Sequence, residues 1–207
     1  MTAPTPARPT VSPRLAVLCS GGGTTLQNLL DRIADGRLAA SIVTVILSAR
    51  DAYAGERARR AGIPVQFISP RPVEPASAAI FDACRAAGAD LVLLAGYMHL
   101  IRIPADFQNR VLNVHPSLIP SFCGAGYYGR KVHAAALARG VKLSGCTVHY
   151  ADDQYDHGPI LVQKAVPVLP GDTPESLAAR VFEAECEAFP EGIELAAAAL
   201  EAKRQGK

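Results

Sequence analysis

The chain has 207 residues, a formal net charge of +2, 19% charged and 49% apolar side chains. That balance supports a buried core in one large domain and excludes the concentrated basic surface through which proteins grip nucleic acid phosphates. Its longest apolar runs, "LVLLAG" and "VTVIL", fall far short of a bilayer span, so neither a membrane nor a nucleic acid partner is expected, and the cytoplasm is the expected compartment.

Residues 1–13 are rich in Pro, Thr and Ala, show no periodicity and lack the apolar centre of a secretion signal; they are expected to form a disordered tail ahead of a domain over 14–200. "LAVLC" from Leu15 reads as a short strand, "SGGGTT" as a turn, and "LQNLLDRIADG" as a helix stopped at Gly36. "SIVTVILS" (strand), "AGERARRAG" (helix), "PVQFI" (strand), "AAIFDACRAAG" (helix) and the wholly apolar "DLVLLAG" (strand) follow. This alternation predicts a parallel sheet with helices on both faces, because parallel neighbours need a crossover and a helix usually supplies it. The pattern then changes. "VLNVH" is a strand, "KVHAAALARG" a helix, "SGCTVHYA" and "PILVQKAVPV" two strands joined by the short "DDQYDHG". "TPESLAARVFEAECEAF" is a closing helix whose Thr173 and Glu175 suit its amino end. The expected α/β architecture is one open, mostly parallel twisted sheet with mixed carboxy-terminal strands.

Cys19, Cys84, Cys123, Cys146 and Cys186 are an odd number of scattered residues with no Cys-x-x-Cys pair, which reads as free thiols and predicts neither a disulfide framework nor a metal site.

Two stretches carry chemistry. In "CSGGGTTLQ" three glycines link a strand to a helix, where a sharp turn and the unpaired amides of the first helical turn suit an anion. The spacing matches neither a P-loop nor a dinucleotide fingerprint, so a single phosphate monoester is the natural ligand; a plain tight turn capped by Thr24 or Ser20 reads the same residues equally well. In "VLNVHPSLIPSF", Pro116 holds His115 extended, and residues two apart in an extended chain share a face, so Asn113 and His115 point the same way. An amide that stabilises a developing oxyanion beside an imidazole that moves protons is what acyl transfer needs. Asp156, Asp152 and Asp153, all in the loop between the last two strands, compete to orient the imidazole.

Taken together, "VLCSGGGTTLQNLLD", "LVLLAGYMHLI", "VLNVHPSLIPSF", "GVKLSGCTVHYADDQYDHGPILVQKAVPV" and "GDTPESLAARV" resemble, in order, the phosphoribosylglycinamide formyltransferases, a folate-dependent formyltransferase family of purine synthesis. The resemblance runs from about Leu15 to Pro190. It implies the formyltransferase fold with a Rossmann-like amino-terminal half, and transfer of a formyl group from formyl-tetrahydrofolate, as co-substrate, to the amine of phosphoribosylglycinamide, by direct attack and with no metal. It also implies a cytoplasmic monomer or homodimer whose partners are these small molecules. On it, Asn113, His115 and Asp156 are the catalytic trio; Gly22, Gly23, Thr24 and Thr25 hold the substrate phosphate; Glu185 lies by the substrate's ribose; and Met98, His99, Leu100 and Ile101, with Asn113, hold the folate. Asp156 is expected to raise the His115 pKa so that an imidazolium persists. His149 is expected to support the trio from behind or to pack as a plain strand residue. Thr25 stands where the family usually has Asn, Phe182 where a polar or basic side chain often reaches the phosphate, and Cys186 where a His is usual.

Overall fold

The computed structural model describes residues 12–206, so residues 1–11 of the expected tail lie outside the described residues. Five parallel strands come first: β1 (Arg14–Cys19), β2 (Ser41–Leu47), β3 (Val65–Phe67), β4 (Leu91–Leu94) and β5 (Val111–His115). β6 (Leu143–Tyr150) and β7 (Ile160–Pro167) then add antiparallel, giving one seven-stranded sheet in the order β3-β2-β1-β4-β5-β6-β7. The helices are α1 (Thr24–Ala34), α2 (Ala54–Arg60), α3 (Val73–Ala86), α4 (Arg130–Arg139) and α5 (Pro174–Arg204). None of the described helices is long and apolar enough to cross a membrane.

β1 shows why the sheet is covered on both sides. Its Leu15, Val17 and Cys19 enter the larger core with Leu26 and Leu29 of α1 and Phe189 and Ile193 of α5, while the intervening Ala16 and Leu18 enter a second core with Ile80 and Phe81 of α3. An apolar strand without alternation is what two buried faces require. Three of the cysteines, Cys19, Cys84 and Cys146, are fillers of these cores, and burial pushes each thiol up to about 12, out of reach of ordinary thiolate chemistry.

Two helices depart from their sequence reading. α3 begins at Val73, five residues before "AAIFDACRAAG", because Pro75 falls in its first turn, where its missing N–H forfeits no helical bond. α5 does not stop at Phe189: it runs through a buried Pro190 to Arg204. A proline inside a helix leaves the carbonyl four residues earlier without its donor. Here that carbonyl is Cys186 O, and the side chain of Asn28 on α1 donates to it at 3.0 Å. A break in one helix is thereby converted into a tie to another. The start of α5 is secured by Thr173 Oγ1, which accepts from Ser176 N–H (3.2 Å) while Ser176 Oγ accepts from Thr173 N–H (2.9 Å).

The strand order reverses between β1 and β4, which opens a crevice at the carboxyl ends of these strands. The segments leaving the two strands are laced together there: Ser20 N–H donates to Gly96 O (3.1 Å) and Met98 N–H to Ser20 Oγ (3.1 Å).

Candidate active site

Asn113 and His115 leave the end of β5 on one face, as their spacing predicts. The antiparallel register of β6 sets His149 directly opposite Asn113 and Thr147 opposite His115. Asp156 comes from the loop between β6 and β7, held at a positive φ of 53°. That loop folds close on β6, since a Cβ at Gly158 would run into Tyr150 O. The side chains of His115 and Asp156 are only 5% and 8% exposed, and their Nδ1 and Oδ2 atoms stand 3.3 Å apart. Asn113 Nδ2 donates to Asp156 Oδ1 at 3.1 Å, and the Gly124 N–H donates to Asp156 Oδ2 at 2.9 Å. The three aspartates are thereby distinguished. Asp152 is engaged by His157 (2.7 Å) and the Gln154 N–H, and Asp153 accepts the Ile103 N–H at 3.1 Å, so only Asp156 meets the imidazole.

The network assigns the tautomers. Nδ1 of His149 donates to Tyr150 O (2.8 Å), which leaves Nε2 to accept the second N–H of Asn113 at 3.0 Å. The 1% exposed His149 is therefore a polar support that fixes the Asn113 amide, not a plain packing residue. Nε2 of His115 faces the acceptor Phe122 O at 2.9 Å and carries a proton. Burial pushes the His115 pKa below the ordinary histidine value, and the upward pulls of Asp156 and the Phe122 carbonyl do not restore it. The expected raised value is thus corrected to a lowered one, because desolvation outweighs the neighbouring carboxylate. Burial works to raise the Asp156 carboxyl, but the neighbouring His115 and the Gly124 N–H help hold it below the ordinary aspartate value.

These groups line a cavity of about 630 Å³, a size suited to a small organic ligand. Met98, His99, Leu100 and Ile101 line it, as do Thr25 of α1 and Glu185 and Phe182 of α5. Gly22, Gly23 and Thr24 form the turn beside Thr25 and do not themselves line the cavity. Gly23 caps α1 at φ 71° with no side-chain cap, so capping by Thr24 or Ser20 is not what the turn does. The backbone N–H groups of Gly22, Gly23, Thr24 and Thr25 have no acceptor among the described residues, which is the donor array that an anion at a helix start requires. Glu185 is half-buried, and burial raises its carboxyl to about 7.

The loop before α4 and the first turns of that helix supply further lining residues. Tyr127 and Tyr128, 40% and 48% exposed, line the cavity from the loop before α4, and Arg130 is its sole Lys or Arg among the described residues, paired with Glu175 at 2.7 Å. His133 of α4 also lines it, buried, with Nδ1 unpaired. In the sequence, "CGAGYYGRKVH", which resembles a longer form of the family's site-covering loop, already points to Tyr127, Tyr128 and Arg130, whereas nothing local points to His133.

Comparisons with known proteins place the chain among relatives of one kind. A family model described as formyl transferase matches residues 13–193. The chain is 40% identical over 186 residues to a chloroplastic phosphoribosylglycinamide formyltransferase of Arabidopsis thaliana, covering 87% of this chain and 64% of that relative; it spans about six tenths of the length of the curated plant relatives it matches. Its structure superposes on glycinamide ribonucleotide transformylase 1 from Symbiobacterium toebii with a TM-score of 0.84 at 45% identity, covering 91% and 89% of the two chains. A formyltetrahydrofolate deformylase from Pseudomonas syringae superposes with a TM-score of 0.79 at 29% identity, with 93% of this chain and 62% of that one covered.

Proposed function

The chain belongs to the formyl transferase family, and from that premise we propose that it moves a formyl group from formyl-tetrahydrofolate to the amine of phosphoribosylglycinamide, as a cytoplasmic monomer or homodimer. The observation that carries this reading is the Asp156 carboxylate in contact with both His115 (3.3 Å) and Asn113 (3.1 Å), inside a cavity that Thr25 of the glycine turn also lines. The ribonucleotide phosphate sits on the Gly22–Thr25 amides, its ribose by Glu185, and the folate against Met98–Ile101.

The substrate amine attacks the formyl carbon, forming a C–N bond and a tetrahedral intermediate with charge on oxygen. Asn113 has both N–H groups engaged in the ligand-free protein, one on His149 and one on Asp156. It turns the second to the oxyanion, a stabilisation worth about 3 kcal/mol. His115 enters neutral, takes the proton shed by the attacking nitrogen and returns it to the folate nitrogen as the C–N bond to folate breaks. Asp156, released by Asn113, stabilises the transient imidazolium. The low resting pKa of His115 thus suits it to begin as a base.

The test is formyl transfer by the purified protein, followed as folate deformylation that depends on added phosphoribosylglycinamide. His115→Ala should lower kcat by about 10²- to 10⁴-fold with ribonucleotide affinity retained; parental turnover in that variant refutes the assignment. Deformylation independent of the ribonucleotide makes water the acceptor, as the name of the Pseudomonas syringae neighbour describes, and overturns the proposed acceptor.

A further inference from the structure

The glycine turn is held from behind by α2. The Ala54 N–H, at the start of that helix, donates to Gly21 O at 3.1 Å, and one turn later Arg57 Nε donates to Gly22 O at 2.9 Å. In a planar trans peptide the N–H points opposite to the C=O. Fixing the Gly21 and Gly22 carbonyls toward α2 therefore aims the Gly22 and Gly23 N–H groups away from it, toward the open start of α1. Contact is close: a Cβ on Gly23 would stand 2.7 Å from the Ala54 Cβ. Arg57 is well placed to keep this orientation. It is half-buried, its guanidinium lies 5.1 Å from the centroid of the Tyr53 ring, and its Nη1 donates to Gln27 Oε1 of α1 at 2.9 Å. One planar fork thus spans the turn and the helix that follows it, and puts a permanent positive charge behind the amides. Arg130, the one Lys or Arg lining the cavity among the described residues, is paired with Glu175, and Phe182 contributes no charge.

We infer that Arg57 is a positioning residue for the substrate phosphate: by gripping Gly22 O and Gln27 together it presents the turn's amides to a phosphate monoester without touching it. This deepens the proposed function and rests on its placing of the phosphate at Gly22–Thr25. The role predicts an effect that depends on the phosphate, which a merely structural role would not give.

The experiment compares the parent, Arg57→Gln and Arg57→Lys with phosphoribosylglycinamide and with its dephosphorylated nucleoside. Arg57→Gln should raise KM for the phosphorylated substrate about ten- to hundredfold, the equivalent of one charge-assisted hydrogen bond, with kcat and the folate KM within about threefold of the parent. With the nucleoside, the variant and the parent should have equal kcat/KM. Arg57→Lys keeps the charge but cannot bridge two acceptors as a fork does, and should raise the same KM about three- to tenfold. Equal losses on both substrates, a fall in kcat alone, or a parental KM in either variant overturns the inference. If Arg57→Gln does not fold, the Lys variant decides. Should the parent not formylate the ribonucleotide, the proposed function fails by itself; calorimetric binding of ribose 5-phosphate to the parent and Arg57→Lys then tests Arg57, with equal affinities or absence of binding to the parent overturning its role.

Discussion

Glu185 offers a direct test of how the site trades stability for binding. Burial raises its carboxyl from 4.5 to about 7, whereas in the unfolded chain it titrates near its ordinary value. Between these values the folded state holds a proton that the unfolded state has released, so stability falls as pH rises through that window and is level above about 7. The shift amounts to at most about 3 kcal/mol at pH 8.5, an upper figure because part of the residue stays open to the cavity. Glu185→Gln keeps the shape and removes the charge. Urea unfolding of the two proteins should give near-equal stability at pH 5, within about 1 kcal/mol, and a variant more stable by about 2–3 kcal/mol at pH 8.5. On the proposed placement of the ribose beside Glu185, the same substitution should weaken ribonucleotide binding, since a carboxylate accepts from hydroxyls more strongly than an amide does. A stability difference that is the same at both pH values refutes the reasoning, because it removes the raised carboxyl from the account.

Two other outcomes follow from the same physics. Because burial holds His115 below the ordinary histidine value and the proposed first step needs a neutral ring, kcat/KM for the folate at saturating ribonucleotide should fall only on the acid side of about pH 6.5, the ordinary histidine value; a limb that instead falls as pH rises through that value refutes the base role. Asn28→Ala strips the Cys186 carbonyl of its donor and should cost about 1–3 kcal/mol in urea unfolding, and less in a Pro190→Ala background, where the backbone N–H restored at 190 reclaims that carbonyl; equal costs in the two backgrounds refute the compensation.

Much of the molecule was legible in the order of its residues, for local reasons. Strand identity in "LAVLC" and "DLVLLAG" follows from runs buried on both faces. The shared face of Asn113 and His115 follows from a two-residue spacing stiffened by Pro116, and the turn in "SGGGTT" from glycines between a strand and a helix. The resemblance to formyltransferases drew on motifs of the same local kind. What only the tertiary structure decided are relations between segments distant in the chain. Asp156 was separated from Asp152 and Asp153 by which of them the folded loop brings to the imidazole. Pro190 lies inside a helix because Asn28, 158 residues earlier than Cys186, supplies the missing donor. Arg57 became part of the glycine turn only when α2 packed behind it. The direction of the His115 pKa shift was set by how deeply the fold buries it, and a carboxylate at 3.3 Å does not reverse that cost. Periodicity and backbone preference act over a few residues, whereas desolvation and hydrogen-bond partnership depend on what closes around a group, and that is determined only when the whole chain has folded.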